Sequence, residues 1–262
     1  MVRPKKHLGQ HFLTDHSIAS RIVNALETAP GDTVIEVGPG TGILTEVLMN
    51  KEIRLLPVEI DPESVHHLKM KWPDLEGSLI EQDFLKLDIE EFTSGPFHVI
   101  GNFPYNISSQ ILFRILEYRQ RIPSVVCMIQ KEVADRIASP PGSRKYGILS
   151  VLLQAYYDIE LLFAVKPGSF FPPPKVTSGV IRLIRNDTRH LPCDEKLFFR
   201  VVKSVFNQRR KMIRNSIKSI LLNLDSNYEL LSKRPEQLGV PEFIELTRWV
   251  EAQLSENRQG NS

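Results

Sequence analysis

The sequence predicts a doubly wound α/β domain with a seven-stranded sheet, followed by a small all-α domain. Three observations carry that expectation. Short β-branched runs alternate with amphipathic stretches over the first two-thirds of the chain. A glycine-rich turn, Gly38-Pro39-Gly40-Thr41-Gly42, sits between the first strand run and the next helical stretch. Strand signals stop after Arg185, where the polar segment 186–192 acts as a linker.

In chain order, the expected strands cover 33–37, 55–59, 78–82, 98–101 and 125–129, each an aliphatic or β-branched run of parallel-strand length. Two more, at 158–165 and 176–184, flank a loop rich in Pro, Gly and Phe and read as an antiparallel pair at one edge. Helices are expected over 18–27, 43–49, 62–71, 108–118 and 148–155, between the strands. Beyond the linker, Phe198, Val201, Val202, Val205, Phe206, Ile213 and Ile217 recur at helical spacing over 195–222. Arg200, Lys203, Arg210, Lys211, Arg214 and Lys218 fall largely opposite. Further helix is expected to end near Leu254, with a frayed tail from Ser255. Domain boundaries follow at 1–185 and 186–262.

At 262 residues, with 42% hydrophobic and 24% charged residues, the chain has the composition of a folded, soluble protein rather than a disordered one. A formal charge of +2 hides an uneven distribution: Arg182–Lys218 holds eleven Lys or Arg against three acids, which points to a polyanionic partner. The two cysteines, Cys127 and Cys193, have no metal-ligand spacing, and no metal site is expected. No export signal or membrane anchor is expected either, and a reducing, cytoplasmic setting is the simplest reading.

The chemistry is concentrated at strand ends. Gly38-Pro39-Gly40-Thr41-Gly42 lets the backbone approach a ligand, yet it lacks the third glycine of a G-x-G-x-x-G dinucleotide site, since Ile43 stands there. An NAD enzyme is disfavoured on that ground. Glu59 closes the second strand, where a carboxylate accepts ribose hydroxyls, and Asp83 closes the third, placed to accept from an adenine amine. Asn102-Phe103-Pro104-Tyr105 follows the fourth: the Asn102 carboxamide and the Phe103 carbonyl can accept both N–H groups of an exocyclic amine, and Tyr105 offers a stacking face. Gly38, Glu59, Asp83 and Asn102 at successive strand ends read as an S-adenosylmethionine site facing an adenine-amine site.

In these residues the chain resembles the Rossmann-like class I methyltransferases, and specifically the small-subunit ribosomal RNA adenine N6,N6-dimethyltransferases, the family linked to kasugamycin resistance. The resemblance runs through 7–13 (His-Leu-Gly-Gln-His-Phe-Leu), the glycine loop, Asn102–Tyr105, the stretch 170–176 (Phe-Phe-Pro-Pro-Pro-Lys-Val) and 206–211 (Phe-Asn-Gln-Arg-Arg-Lys). It implies that an N-terminal arm folds over the methyl donor, with His11 and Leu13 touching it; the family usually has Asn where this chain has His11. Gly38 would meet the methionine part, Glu59 the ribose, Asp83 the adenine amine, and Asn102 would stand between donor and target. Phe170 would face Tyr105 across a flipped base, with Phe171 as its competitor. Arg209, Arg210, Lys211 and Arg214 would hold RNA phosphates. The implied reaction converts two adjacent adenosines, in a hairpin loop near the 3′ end of small-subunit (16S) RNA, to N6,N6-dimethyladenosine. The implied partner is the immature 30S particle, met by a monomer. A large-subunit RNA dimethylase and a mainly non-catalytic ribosome-assembly factor are the alternatives.

Overall fold

The computed structural model describes residues 2–221 and 227–259. Two compact units emerge, one of Met1–Asp135 with Asp158–Arg185, the other of Arg136–Tyr157 with Asn186–Ser262.

In the first unit, strands β2 (Thr33–Val37), β3 (Arg54–Val58), β4 (Phe97–Asn102), β5 (Ser124–Gln130), β6 (Tyr157–Val165) and β8 (Ser178–Arg185) form one sheet in the order β3-β2-β4-β5-β8-β6. β2 is parallel to β3 and β4, β4 is parallel to β5, and β8 runs antiparallel to β5. The chain leaves β2 towards β3 on one side and reaches β4 on the other, so the C-terminal ends of β2 and its neighbours open a crevice at a topological switch point. Two short strands, β1 (Phe12–Leu13) and β7 (Phe170–Phe171), pair separately and tie the N-terminal arm down.

The sheet has six strands rather than seven, because 78–82 contributes only a single parallel bridge between Val58 and Ile80. Ile80 donates to the Pro57 carbonyl and accepts from Glu59. The ladder cannot grow backwards, since Pro57 has no N–H to offer the next acceptor.

Helix α1 (His16–Asn24) starts on Asp15, whose carboxylate caps Ser17 and Ile18, and buries Ala19, Ile22 and Val23 on one face. α2 (Ile43–Leu48) leaves the glycine turn. α3 (Pro62–Lys71) is capped by Asp61 with Pro62 in its first turn. α4 (Ser108–Glu117) buries Ile111, Leu112, Ile115 and Leu116. α5 (Lys131–Ile137) had no place among the expected helices.

The second unit is helical. α6 (Ile148–Gln154) buries Leu149 through Leu153 without interruption, so it needs apolar partners all round, and it packs on α7 (Glu195–Asn207) and α9 (Val240–Gln259). That packing puts Arg136–Tyr157 with the C-terminal residues, although the sequence reading had placed the whole of 1–185 in one domain.

The periodicity over 195–222 does not give one helix. α7 ends at Asn207, a turn follows, and the short α8 (Ile213–Ser216) begins after it; Leu222 lies outside the described residues. Between Phe206 and Ile213 no apolar side chain is buried, Met212 being 48% exposed, and three successive cations stand at 209–211, so nothing rewards a further turn of α7. α9 remains helical from Ser255 to Gln259, where a frayed tail was expected. Among the described residues no helix is long and apolar enough to cross a membrane.

Candidate active site

The C-terminal ends of β2, β3 and β4, the loop at Gln82–Leu85 and the arm segment Leu8–Phe12 enclose one cleft of about 790 Å³, its open mouth included. That is the size of a nucleoside-bearing ligand site.

The glycine turn forms the floor. Gly38, Gly40 and Gly42 have φ of 69°, 57° and 82°, in the left-handed region that side chains disfavour. A Cβ on Gly38 would meet no neighbour within 4 Å, so its bare face is turned to open space, as a backbone that receives a ligand requires. Gly40 is bare for another reason: the Phe12 ring of the arm lies 2.8 Å from where its Cβ would be.

Glu59 is buried, yet both its oxygens are held by peptide N–H groups. Oε1 accepts from Ile60 at 2.9 Å and Asp61 at 2.8 Å, and Oε2 from Gly40 at 3.0 Å. Oε2 therefore keeps an acceptor position for a hydroxyl. Burial raises the Glu59 pKa, and the bonds from Asp61, Gly40 and Ile60 oppose the rise without cancelling it. Asp83 accepts from the Leu85 N–H through Oδ1 at 2.9 Å, which leaves Oδ2 for an amine. The three expected cofactor residues Gly38, Glu59 and Asp83 thus line one cleft, the two carboxylates with acceptor positions to spare.

Asn102 ends β4 and lines the cleft. Its Nδ2 donates to the His11 carbonyl at 2.8 Å. A carbonyl only accepts, so the amide nitrogen must face it, and the carboxamide oxygen is left free on the other side. Phe103 is buried and donates its N–H to Met128, while its carbonyl takes no hydrogen bond among the described residues. The Tyr105 hydroxyl shares a 2.6 Å hydrogen bond with Ser178. The His11 ring stacks on Tyr105, centroids 5.5 Å apart and planes at 28°, and its Nδ1 donates to the Pro172 carbonyl at 2.7 Å. The arm thus reaches Asn102 through a backbone oxygen and Tyr105 through a ring.

Two expected site residues are placed elsewhere. Leu13 is 2% exposed and Phe170 4% exposed; they pair across β1 and β7 and belong to the hydrophobic core, with neither lining the cleft. Side chains alternate along a strand, so burying Phe170 turns Phe171 outwards, and Phe171 is 56% exposed. Sequence reasoning missed Gln10, Ile60 and Ile107, which also line the cleft. Gln10, within the 7–13 stretch, was the only one of the three that a motif could have flagged.

Behind the glycine turn, Glu36 is fully buried and accepts from Thr45 Oγ1 at 2.7 Å; burial pushes its pKa up to about 8. The folded form therefore holds this proton more tightly than the unfolded chain. The stability this site supplies is complete below the ordinary carboxylate value and is lost as pH rises through about 8. Denaturant unfolding measured across that window should show the loss in the native protein and a flatter profile in Glu36→Gln, whose amide oxygen still accepts from Thr45. Superimposable profiles would refute it.

The second unit carries a basic surface of its own. Arg210, Lys211 and Arg214 are exposed, while Arg209 is half-buried and donates to the Ser143 carbonyl at 3.1 Å. That bond brings the exposed Arg144 and Lys145 beside the 209–211 turn, a grouping that the sequence order separates by more than sixty residues. Among the described residues no group of three or more His, Cys, Asp or Glu gathers as metal ligands would.

The sequence pattern of ribosomal RNA adenine dimethylase matches residues 1–234. The chain belongs to this family. A relative from Phocaeicola vulgatus, described as ribosomal RNA small subunit methyltransferase A, is 55% identical over 257 residues, covering 97% of this chain and 92% of the relative. Among solved structures, a dimethyladenosine transferase from Plasmodium falciparum superposes with a TM-score of 0.75 over 95% of this chain and 98% of its own, and at 23% identity shows the shared fold. The 23S rRNA methyltransferase ErmE gives a TM-score of 0.66 and 27% identity over 89% of this chain and 98% of its own. The family assignment makes this dimethylase-family chain an S-adenosylmethionine-dependent methyltransferase with the Rossmann-like sheet and helical C-terminal region described above.

Proposed function

We propose that the chain transfers methyl groups from S-adenosylmethionine to N6 of two adjacent adenosines in a hairpin loop near the 3′ end of small-subunit RNA. It does so in the cytoplasm, as a monomer, on an immature small-subunit particle. The observation that carries the reading is the Asn102 carboxamide, its nitrogen held by the His11 carbonyl and its oxygen free, in the same cleft as Glu59 and Asp83. High identity to a small-subunit methyltransferase and much lower identity to a 23S enzyme support small-subunit RNA as the substrate.

The donor supplies an electrophilic methyl group; the chain supplies position. An adenine amine is a poor nucleophile because its lone pair is delocalised into the ring. Accepting its two N–H bonds at the Asn102 oxygen and the Phe103 carbonyl favours a pyramidal nitrogen and fixes its direction. The adenine must leave its stack to arrive there. Tyr105 lines the cleft and provides a stacking face, whereas neither the buried Phe170 nor the exposed Phe171 lines it.

Arg210, Lys211 and Arg214 hold RNA phosphates, and Arg209 mainly secures the loop that carries Arg144 and Lys145. The double charge reversal Arg210→Glu with Lys211→Glu should weaken RNA binding and lower its slope against log salt by about 2. An unchanged slope in filter binding would return these residues to an ordinary solvated face.

The direct test is mass spectrometry of ribosomal RNA from cells with and without the protein. Dimethyladenosine should disappear from small-subunit RNA only. Its loss from large-subunit RNA would favour the other substrate, and no loss at all would favour an assembly role without catalysis.

A further inference from the structure

The N-terminal arm forms one wall of the cleft, and polar contacts converging on a single buried carboxylate fasten it. Asp61 Oδ1 takes the Lys5 ammonium, and Oδ2 takes the Gln10 amide at 3.0 Å; the Gln10 oxygen in turn accepts from the Lys5 N–H at 2.8 Å, closing a ring. Beside it, the Arg3 N–H donates to Glu63 at 2.9 Å. The segment between these anchors and the His11 carbonyl is the one that lines the cleft.

Asp61 has three further tasks on the cofactor side. Its carboxylate caps α3 through the Glu63 N–H at 3.2 Å and accepts from Ser64 at 3.1 Å, while its own N–H holds Glu59 Oε1. One residue thus orients the expected ribose acceptor and secures the wall that covers it.

We propose that Asp61 is a positioning residue that clamps the arm shut over the methyl donor through Lys5 and Gln10, and so sets how long the cofactor is retained. The proposal rests on the reading of this cleft as the cofactor site. Burial acts to raise the Asp61 pKa, but the bonds from Lys5, Gln10, Glu63 and Ser64 outweigh it and hold the group below its usual value, so the carboxylate is charged at neutral pH and the ion pair is present whenever the arm is closed.

Asp61→Asn separates the clamp from the cap, because an Asn oxygen still caps a helix whereas the ion pair to Lys5 is gone. S-adenosylhomocysteine binding would be measured by calorimetry for the native protein, Asp61→Asn, Lys5→Met and the double variant, with thermal unfolding alongside. Each single change should weaken binding about tenfold, the double change no more than either single one, and unfolding midpoints should stay close to the native value. In turnover, the KM for the methyl donor should rise by a similar factor while kcat at saturation stays within about twofold. Trypsin should cut after Lys6 in Asp61→Asn at a ligand concentration that protects the native arm. Binding equal to native in both single variants, or single effects that multiply in the double, would overturn the clamp. A native protein that binds no S-adenosylhomocysteine would instead overturn the reading of the cleft itself.

Discussion

Asn102→Ala is expected to abolish methyl transfer while leaving cofactor binding largely in place. The substitution removes the carboxamide oxygen proposed to take the target amine together with the Phe103 carbonyl, and losing one such preorganised contact costs on the order of 10²–10³ in kcat. It also removes the bond to the His11 carbonyl, a neutral contact worth about 1 kcal/mol, so S-adenosylhomocysteine affinity should fall by less than about tenfold. Asn102→Asp is the sharper probe. It keeps the shape and one acceptor but sets a carboxylate oxygen against the His11 carbonyl, so the arm is repelled where it had been held. Methyl incorporation into small-subunit RNA, measured beside calorimetric binding, checks both. Near-native turnover in Asn102→Ala would remove the amide from the reaction.

Glu59→Ala should do the reverse, removing cofactor binding first. The ribose acceptor goes, and the buried N–H groups of Gly40, Ile60 and Asp61 lose their partner. A hydrogen bond to a charged group contributes about 1.5–3 kcal/mol, so cofactor affinity should fall by at least about tenfold and by as much as about 10²-fold, and the unsatisfied donors should cost a further 1–3 kcal/mol or so of stability. Glu59→Gln should bind almost as poorly, because its NH₂ must face peptide N–H groups. Burial raises the Glu59 pKa, and its protonated form would point a donor at groups that only donate. In the native protein, cofactor affinity should therefore decline on acidification at a pH above the ordinary carboxylate range, and this decline should be absent from Glu59→Gln. Full affinity in Glu59→Ala would place the ribose elsewhere.

Much of this site was legible because it depends on local rules. A glycine with φ near 69° at the end of a strand, a carboxylate closing the next strand and an Asn-Phe-Pro-Tyr turn after β4 are each written in consecutive residues, and a parallel sheet brings consecutive strand ends to one edge. The misreadings share another origin. Leu13 and Phe170 belong to motifs that resembled site residues, but which of two neighbouring side chains faces the core depends on the register Phe12↔Phe171, Leu13↔Phe170, a pairing across about 160 residues. The seventh strand failed at one atom, the missing N–H of Pro57. The helical spacing over 195–222 is interrupted where no tertiary partner buries another turn beyond Phe206.

The sequence by itself determined the alternation of strands and helices, the glycine floor, the order of acceptors along the sheet edge and the basic helical region. These follow from backbone sterics and from periodicities of two and 3.6 residues, which act within a few positions of each other. Only the tertiary structure decided that the His11 carbonyl orients the Asn102 amide, that Asp61 gathers Lys5 and Gln10, that Arg209 draws Arg144 and Lys145 to its side, and that Phe171 rather than Phe170 is exposed. Each of these depends on a contact between residues some fifty to about one hundred and sixty positions apart, and no local preference encodes it. Such pairs are fixed only when the packed core sets which backbone groups remain without a partner and which side chains can reach them.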